Sequence, residues 1–168
     1  MLDSYLAGFL DGEGCICITF SDTAHRHQKC VVMITQSNRE ILARIQSQEG
    51  GSLHQMKGKS REGRPPCWSW TLGERKVPAF LRRMLPYLIV KREEAKLALG
   101  FLDFKNTYIL GHGGMDNHRP SEAEQHRRIE MRQVFKNGMH QLKSRYGYAS
   151  HRRLIGQHKP KRETVSAA

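Results

Sequence analysis

Tyr5-Leu6-Ala7-Gly8-Phe9-Leu10-Asp11-Gly12-Glu13-Gly14 is the stretch on which the reading of the whole chain turns. As a helix it sets Ala7, Gly8, Asp11 and Gly12 at three- and four-residue spacing, so one face carries almost no bulk, with Leu6, Phe9 and Leu10 as an apolar flank. A second backbone can approach such a face closely. Gly12 and Gly14 are expected to end the helix, because glycine alone adopts left-handed dihedrals at low cost, leaving Asp11 and Glu13 at its C-terminus. Unpaired carbonyls and partial negative charge gather there. Added carboxylates make an oxygen-rich cation site that suits Mg²⁺ better than zinc. On spacing alone, the same residues also describe an ordinary small-residue helix with a glycine C-cap and solvated acids.

Outward from this helix the hydrophobic period changes from helical to alternating. Cys15-Ile16-Cys17-Ile18-Thr19-Phe20 reads as a strand with Ile16, Ile18 and Phe20 inward and Cys15, Cys17 and Thr19 outward. A polar loop with His25, Arg26 and His27 separates it from a second, antiparallel strand over 29–35. Ser37-Asn38-Arg39-Glu40 has the capping-box form, and Ile41, Leu42 and Ile45 continue at helical spacing, which predicts a helix over 38–49. After Gly50-Gly51 come a strand over 52–57, a basic turn with Lys59, Arg61 and Arg64, and a strand over 67–72. In the last, Trp68, Trp70 and Leu72 point inward and Cys67, Ser69 and Thr71 outward. Val77, Phe80, Leu81, Met84 and Leu85 form an amphipathic helix closed by Pro86, and a further helix starts near Lys91 with Ala95, Ala98, Leu99 and Leu102.

The fold class is therefore α+β, ordered α-ββ-α-ββ-α-α, with one antiparallel four-stranded sheet covered by helices on one face. Residues 108–119 read as a loop, and a capping box at Pro120-Ser121-Glu122-Ala123-Glu124 opens a last helix to about Lys143 with Met131, Val134, Phe135 and Leu142 inward. Residues 1–145 make one domain. Residues 146–168 are a basic tail, expected to be mobile and to add nonspecific backbone affinity.

Charge narrows the partner. The chain has 168 residues, 28 Lys and Arg against 16 Asp and Glu, a net charge of +12 and a pI near 9.9, which points to a polyanion. Residues 1–20 carry Asp3, Asp11 and Glu13 with no base, whereas 51–92 and 119–168 each sum to +8. A basic body thus surrounds an acidic spot, as a nuclease needs to attract phosphates broadly and metal ions locally. Four cysteines are too sparse for a disulfide scaffold, no Cys-x-x-Cys pair supports zinc, and Met1-Leu2-Asp3 lacks a signal peptide's basic start. An intracellular, reduced protein with no membrane span is expected, the longest apolar run, 84–90, being broken by Pro86. Asp116-Asn117-His118 lacks the second histidine cluster of a His-Asn-His nuclease.

Leu6-Ala7-Gly8-Phe9-Leu10-Asp11-Gly12-Glu13-Gly14 resembles the defining segment of the LAGLIDADG homing endonucleases. The resemblance extends over about residues 4–145, with its sharpest signal at 5–14. It implies that the small face, Leu6, Ala7, Gly8, Phe9, Asp11 and Gly12, packs against a second copy of the helix. It also implies that Glu13 and the Gly12 carbonyl bind Mg²⁺ (or Mn²⁺, with Ca²⁺ binding without supporting cleavage). Gln36 would order active-site water and Arg39 would be the cationic residue placed shortly after it. Pro86-Tyr87-Leu88-Ile89-Val90-Lys91 matches the family's Pro-aromatic-Leu-x-x-Lys run, with Lys91 near the scissile phosphate. The outer sheet face and its loops would contact double-stranded DNA through Cys15, Cys17, Thr19, His25, Arg26, His27, Lys29, Val31, Met33, His54, Met56, Lys57, Lys59, Arg61, Arg64, Ser69 and Thr71.

Leu99-Gly100-Phe101-Leu102-Asp103 echoes the motif, but Phe104-Lys105-Asn106 replaces its metal-binding end, so one chain supplies one motif. By the resemblance, cutting both strands then requires a homodimer on a pseudo-palindromic site. The rival reading is a nucleic-acid-binding protein without cleavage, either an RNA maturase for intron splicing or a DNA-binding regulator.

Overall fold

Side-chain alternation along four strands builds a single antiparallel sheet with one apolar and one mixed face. In the computed structural model, residues 1–20, 28–56, 66–109 and 121–145 are described. Helices α1 (Asp3–Glu13), α2 (Arg39–Glu49), α3 (Val77–Met84), α4 (Arg92–Ile109) and α5 (Glu122–Ser144) join strands β1 (Gly14–Phe20), β2 (Gln28–Gln36), β3 (Ser52–Gln55) and β4 (Trp68–Leu72). The order is α1-β1-β2-α2-β3-β4-α3-α4-α5, and the sheet runs β1-β2-β4-β3. Ile16 pairs with Val32 and Val32 with Leu72, while Ile34 pairs with Trp70 and Trp70 with Leu53, so the apolar side chains line up on one face. Leu6, Ala7 and Leu10 of α1 join them in the core with Leu42, Ile45, Phe80, Leu81, Met84, Ala95 and Ala98. This is the expected α+β architecture with a third helix, α5, at its end.

Trp70 anchors the sheet to the turn before β3. Its ring lies 5.9 Å from Phe80, and its indole N–H donates to the Gly50 carbonyl at 2.8 Å, satisfying the one polar atom of a fully buried side chain. Gly50 and Gly51 have φ of 73° and 85°, and a Cβ on Gly51 would lie 2.5 Å from the Thr71 carbonyl oxygen. Gly51→Ala is therefore expected to destabilise the fold by about 2–4 kcal/mol, measured by urea denaturation. An unchanged midpoint would show that the turn relaxes at no cost.

Several boundaries differ from the sequence reading. The α2 cap is Asn38, not Ser37: the Asn38 side chain accepts from Glu40 N at 2.9 Å and Ile41 N at 3.4 Å, so the helix starts at Arg39. Either residue suits an N-cap, and the local hydrogen-bond geometry chooses. Strand β3 stops at Gln55, leaving Met56 exposed and Lys57 outside the described residues. Helix α4 continues through Tyr108 to Ile109, where a loop was expected. On α5, Met131 and Val134 are 40% and 60% exposed. The packed stripe is instead Phe135, Gly138 and Met139: Phe135 lies 5.7 Å from the Phe101 ring, and Gly138 lets Leu97 approach. Contact with α4, rather than the nearest helical repeat of apolar residues, fixes which face turns inward. The Phe20 side chain and residues 146–168 lie outside the described residues.

Candidate functional site

Helix α1 runs directly into β1, and the way it ends places every group of interest. Gly14 takes φ −89° and ψ 167°, ordinary extended backbone, so a left-handed C-cap is not what requires glycine. Close approach is: a Cβ there would sit 2.3 Å from Leu10 Cδ1 and 2.6 Å from the Leu10 carbonyl oxygen. The expected role of Gly14 is thus corrected from dihedral freedom to lack of bulk.

Asp11 is likewise not a free ligand at the helix end. Its Oδ2 accepts from the backbone N–H groups of Ile89 at 2.7 Å and Val90 at 3.1 Å, and its Oδ1 accepts from Lys91 N at 2.8 Å. One carboxylate therefore holds the three consecutive N–H groups that lead into α4, and sits near its N-terminus, where negative charge is favoured. Asp11→Ala is expected to cost about 2–4 kcal/mol, because three N–H groups lose a charged acceptor. Thermal denaturation checks this, and a loss below about 1 kcal/mol would mean that water replaces the clamp. Lys91 itself is 6% exposed and its Nζ donates to the Asp11 carbonyl oxygen. The exposed lysine that the sequence allows is instead pinned to the C-terminus of α1, where a cation complements the helix dipole.

Glu13 and Gly12 are exposed beside Asp11 and the buried Lys91, and among the described residues no hydrogen bond or ion pair engages the Glu13 carboxylate. Gly14 pairs with Ile34, so Gln36, two residues on, lies at the same end of the sheet. Its Oε1 accepts from Ser37 N at 2.8 Å and from Ser37 Oγ at 3.2 Å. Arg39 stands over the Trp68 ring, 5.1 Å from its centroid, and Trp68 pairs with Gln36. No three His, Cys, Asp or Glu side chains cluster to hold a metal ion among the described residues. Exposed hard oxygens at Glu13 and Gly12 fit a divalent cation, yet one chain offers only part of a coordination shell.

The outer sheet face carries rows Thr19–Lys29, Cys17–Val31, Cys15–Met33–Thr71 and Thr35–Ser69–His54. Thr19, Lys29, His54 and Met56 are exposed, and Val31, Met33 and Thr71 half-buried. Ser69 is 4% exposed, which corrects its expected place on an open surface. Cys15 and Cys17 are covered in part by α5, whose Lys143 Nζ reaches their Sγ atoms at 3.1 and 3.3 Å. His25, Arg26, His27, Lys57, Lys59, Arg61 and Arg64 lie outside the described residues.

This corner is electrostatically unusual, and no local pattern in the chain signals it. Cys15 and Cys17 sulfurs stand 3.1 Å apart. The Cys17 thiol hydrogen bond pulls Cys15 down to about 5, with Lys143 assisting against burial. The same hydrogen bond, with burial and the charge on Cys15, pushes Cys17 up. Burial works to lower Lys143, but the two sulfurs outweigh it and raise the amine. Burial pushes the Glu94 carboxyl above its ordinary 4.5 against the nearby Lys143 and Lys91, with Cys15 and Asp11 adding to the rise, and Glu94 Oε2 is buried without a hydrogen-bond partner among the described residues. The folded state thus holds the Glu94 proton more tightly, so this stabilisation is full below pH 4.5 and is lost as pH rises through the folded value. Glu94→Gln is expected to be more stable than the parent at neutral pH, with the gap closing in acid. Denaturation midpoints across pH check it, and a constant gap would rule it out.

The remaining face of α1 is open. Leu6 and Ala7 are buried within the chain itself, which corrects their assignment to a helix–helix interface. Asp11 faces α4. Tyr5, Gly8 and Gly12 are exposed and Phe9 half-exposed, Tyr5 and Phe9 stack at 6.2 Å, and a Cβ on Gly8 or Gly12 would meet nothing within 4 Å.

A sheet of this order, backed by helices and entered from a glycine-ended helix, defines a class: the fold is that of the LAGLIDADG homing endonucleases. The chain is similar to I-CvuI, solved in complex with its target (Sro1.3) in the presence of 2 mM Ca, at 26% identity and a TM-score of 0.51, over 60% of this chain and 65% of that one. It also matches meganuclease I-SmaMI bound to uncleaveable DNA, at 17% identity and a TM-score of 0.60, over 82% of this chain and 44% of that one. LAGLIDADG meganuclease I-CpaMI bound to uncleaved DNA matches at 23% identity and 0.53, over 68% and 39%. The chain thus spans about two thirds of I-CvuI and less than half of the two meganucleases. No family model matches the chain, and no curated protein does. The fold that the motif implies is the fold observed. No helix among the described residues is long and apolar enough to cross a membrane.

Proposed function

We propose that the chain is a site-specific double-strand DNA endonuclease of the intron-homing type, acting as a homodimer with Mg²⁺ on a long pseudo-palindromic site. One observation carries this reading: Glu13, exposed and unengaged, sits at the end of α1 beside a lysine buried against that same helix end. A phosphodiesterase has a use for a cation beside an open carboxylate, because charge develops on the phosphate in the transition state. The open α1 face is where a second copy fits. Its approach brings two Glu13 carboxylates and two Gly12 carbonyls together, supplying the oxygen donors that one chain lacks.

When bound there, divalent ions would neutralise phosphate charge and acidify water. This chain's residues do the rest. Gln36 at the neighbouring strand end orients water for in-line attack. Lys91 faces the charge that grows as the phosphorus–oxygen bond breaks, and Arg39, stacked on Trp68, lies at the same sheet end as a further cation. On the outer sheet face Thr19, Lys29, Val31, Met33, Thr71 and His54 present polar, basic and apolar groups to a groove, where thymine methyls and base edges are distinguishable.

The test is incubation of the purified chain with a randomised duplex library in Mg²⁺, beside Glu13→Gln. Cleavage of a selected sequence by the parent alone supports the enzyme. RNA-selective binding, or DNA binding with no cut by either protein, supports the non-cleaving alternative.

A further inference from the structure

We propose that Cys15 and Cys17 are a paired-thiol modification site, oxidised by hydroperoxides to a disulfide within strand β1. The two residues are separated by one along the strand and share its outer face, so alternation places their side chains side by side. Their sulfurs are 3.1 Å apart, and the Lys143 ammonium lies 3.1 Å from one and 3.3 Å from the other. Both are half-buried, whereas Cys30 is fully buried in the core. Strand rise puts the two Cα atoms about 6.6 Å apart, near the upper end of what a disulfide spans. An extended strand holds the two Cβ atoms about as far apart as the Cα atoms, whereas a disulfide needs them within about 4.5 Å, so closing the bond bends β1 and leaves it readily reduced, as a reversible modification requires.

The chemistry balances without any further reactant. The Cys15 sulfur attacks the peroxide oxygen, the O–O bond breaks, and the leaving oxygen departs as an alcohol or water with a proton relayed by Lys143. The sulfenic acid on Cys15 is then attacked by the Cys17 sulfur, the S–O bond breaks, and water leaves. Two thiols lose two electrons and two protons, and the hydroperoxide takes both. Lys143 loses its sulfur partners in the product, so the end of α5 is released from β1 two residues past Glu13.

The inference does not depend on the nuclease reading, and its readout needs no DNA. The reduced full-length chain is treated with an equimolar amount of hydrogen peroxide, blocked with N-ethylmaleimide and mapped by peptide mass. The peptide holding Cys15 and Cys17 is expected to lose two hydrogens, to escape the maleimide, and to regain labelling after dithiothreitol. Lys143→Met, which keeps the side-chain stem, is expected to slow this about tenfold. Cys17→Ser is expected to stop at a dimedone-reactive sulfenic acid on Cys15, its fold verified by circular dichroism. Oxidation of Cys67 first, with Cys15 and Cys17 still fully labelled, would overturn the proposal. So would conversion of both to sulfinic acids with no internal crosslink.

Discussion

Glu13→Gln is expected to lower DNA cleavage by about a thousandfold while leaving duplex affinity within about threefold in Mg²⁺-free buffer. The substitution keeps length and one oxygen but removes the charge that a hard cation requires. The carboxylate is exposed and engages no other described residue, so its loss leaves the core and the Asp11 clamp intact. Stability is therefore expected to be unchanged, which separates a chemical defect from a folding one. Removing one negative charge beside bound phosphates weakens repulsion, so any change in affinity should be toward tighter binding. Single-turnover cleavage and fluorescence anisotropy on one selected duplex give the two quantities. Retention of cleavage within tenfold of the parent would remove Glu13 from the active site.

The second large effect is expected for Gly8→Leu. A Cβ at this position meets nothing within 4 Å, and leucine favours a helix over glycine by about 0.8 kcal/mol, so the isolated subunit should hold its stability or gain slightly. In the proposed dimer the same position lies between two closely packed backbones, and the added side chain forces them apart. Self-association is expected to weaken by at least about a hundredfold, equivalent to about 2.7 kcal/mol. Sedimentation velocity reads association, and denaturation at concentrations below the dissociation constant reads the subunit. These move in opposite senses only if α1 is a contact between copies. A dimer that tolerates leucine would show that association uses another surface.

How much of this was legible in the sequence follows from the range of the forces involved. Alternation in 15–20 and 29–35, the helical spacing of Phe80, Leu81 and Met84, and the paired glycines at 50–51 are local patterns, and the elements they predict are present. The sheet order was not written in any one segment, because pairing of β2 with β4 joins residues separated by the α2 and β3 stretch. From the sequence Asp11 reads as an open acid, since its partners, the N–H groups of 89–91, are 78 to 80 residues away. Ala7 lies on a face that small residues alone cannot assign: bulk says what can approach, while burial against the sheet decides what does. Lys143 escaped notice for the same reason, its sulfur partners being more than 120 residues distant. Lys91 was found through its Pro-aromatic-Leu setting, a signal that is local even though its role is not.

The Asp11 clamp has a consequence for how the molecule is made. During synthesis the N-terminal helix leaves the ribosome long before Ile89, Val90 and Lys91, so its end waits for a lock that arrives late. Until then the helix is short and marginal by itself, and the clamp that holds its end is not yet made. A chain cut off before residue 89 would carry the whole motif yet lack every donor that holds its end in place.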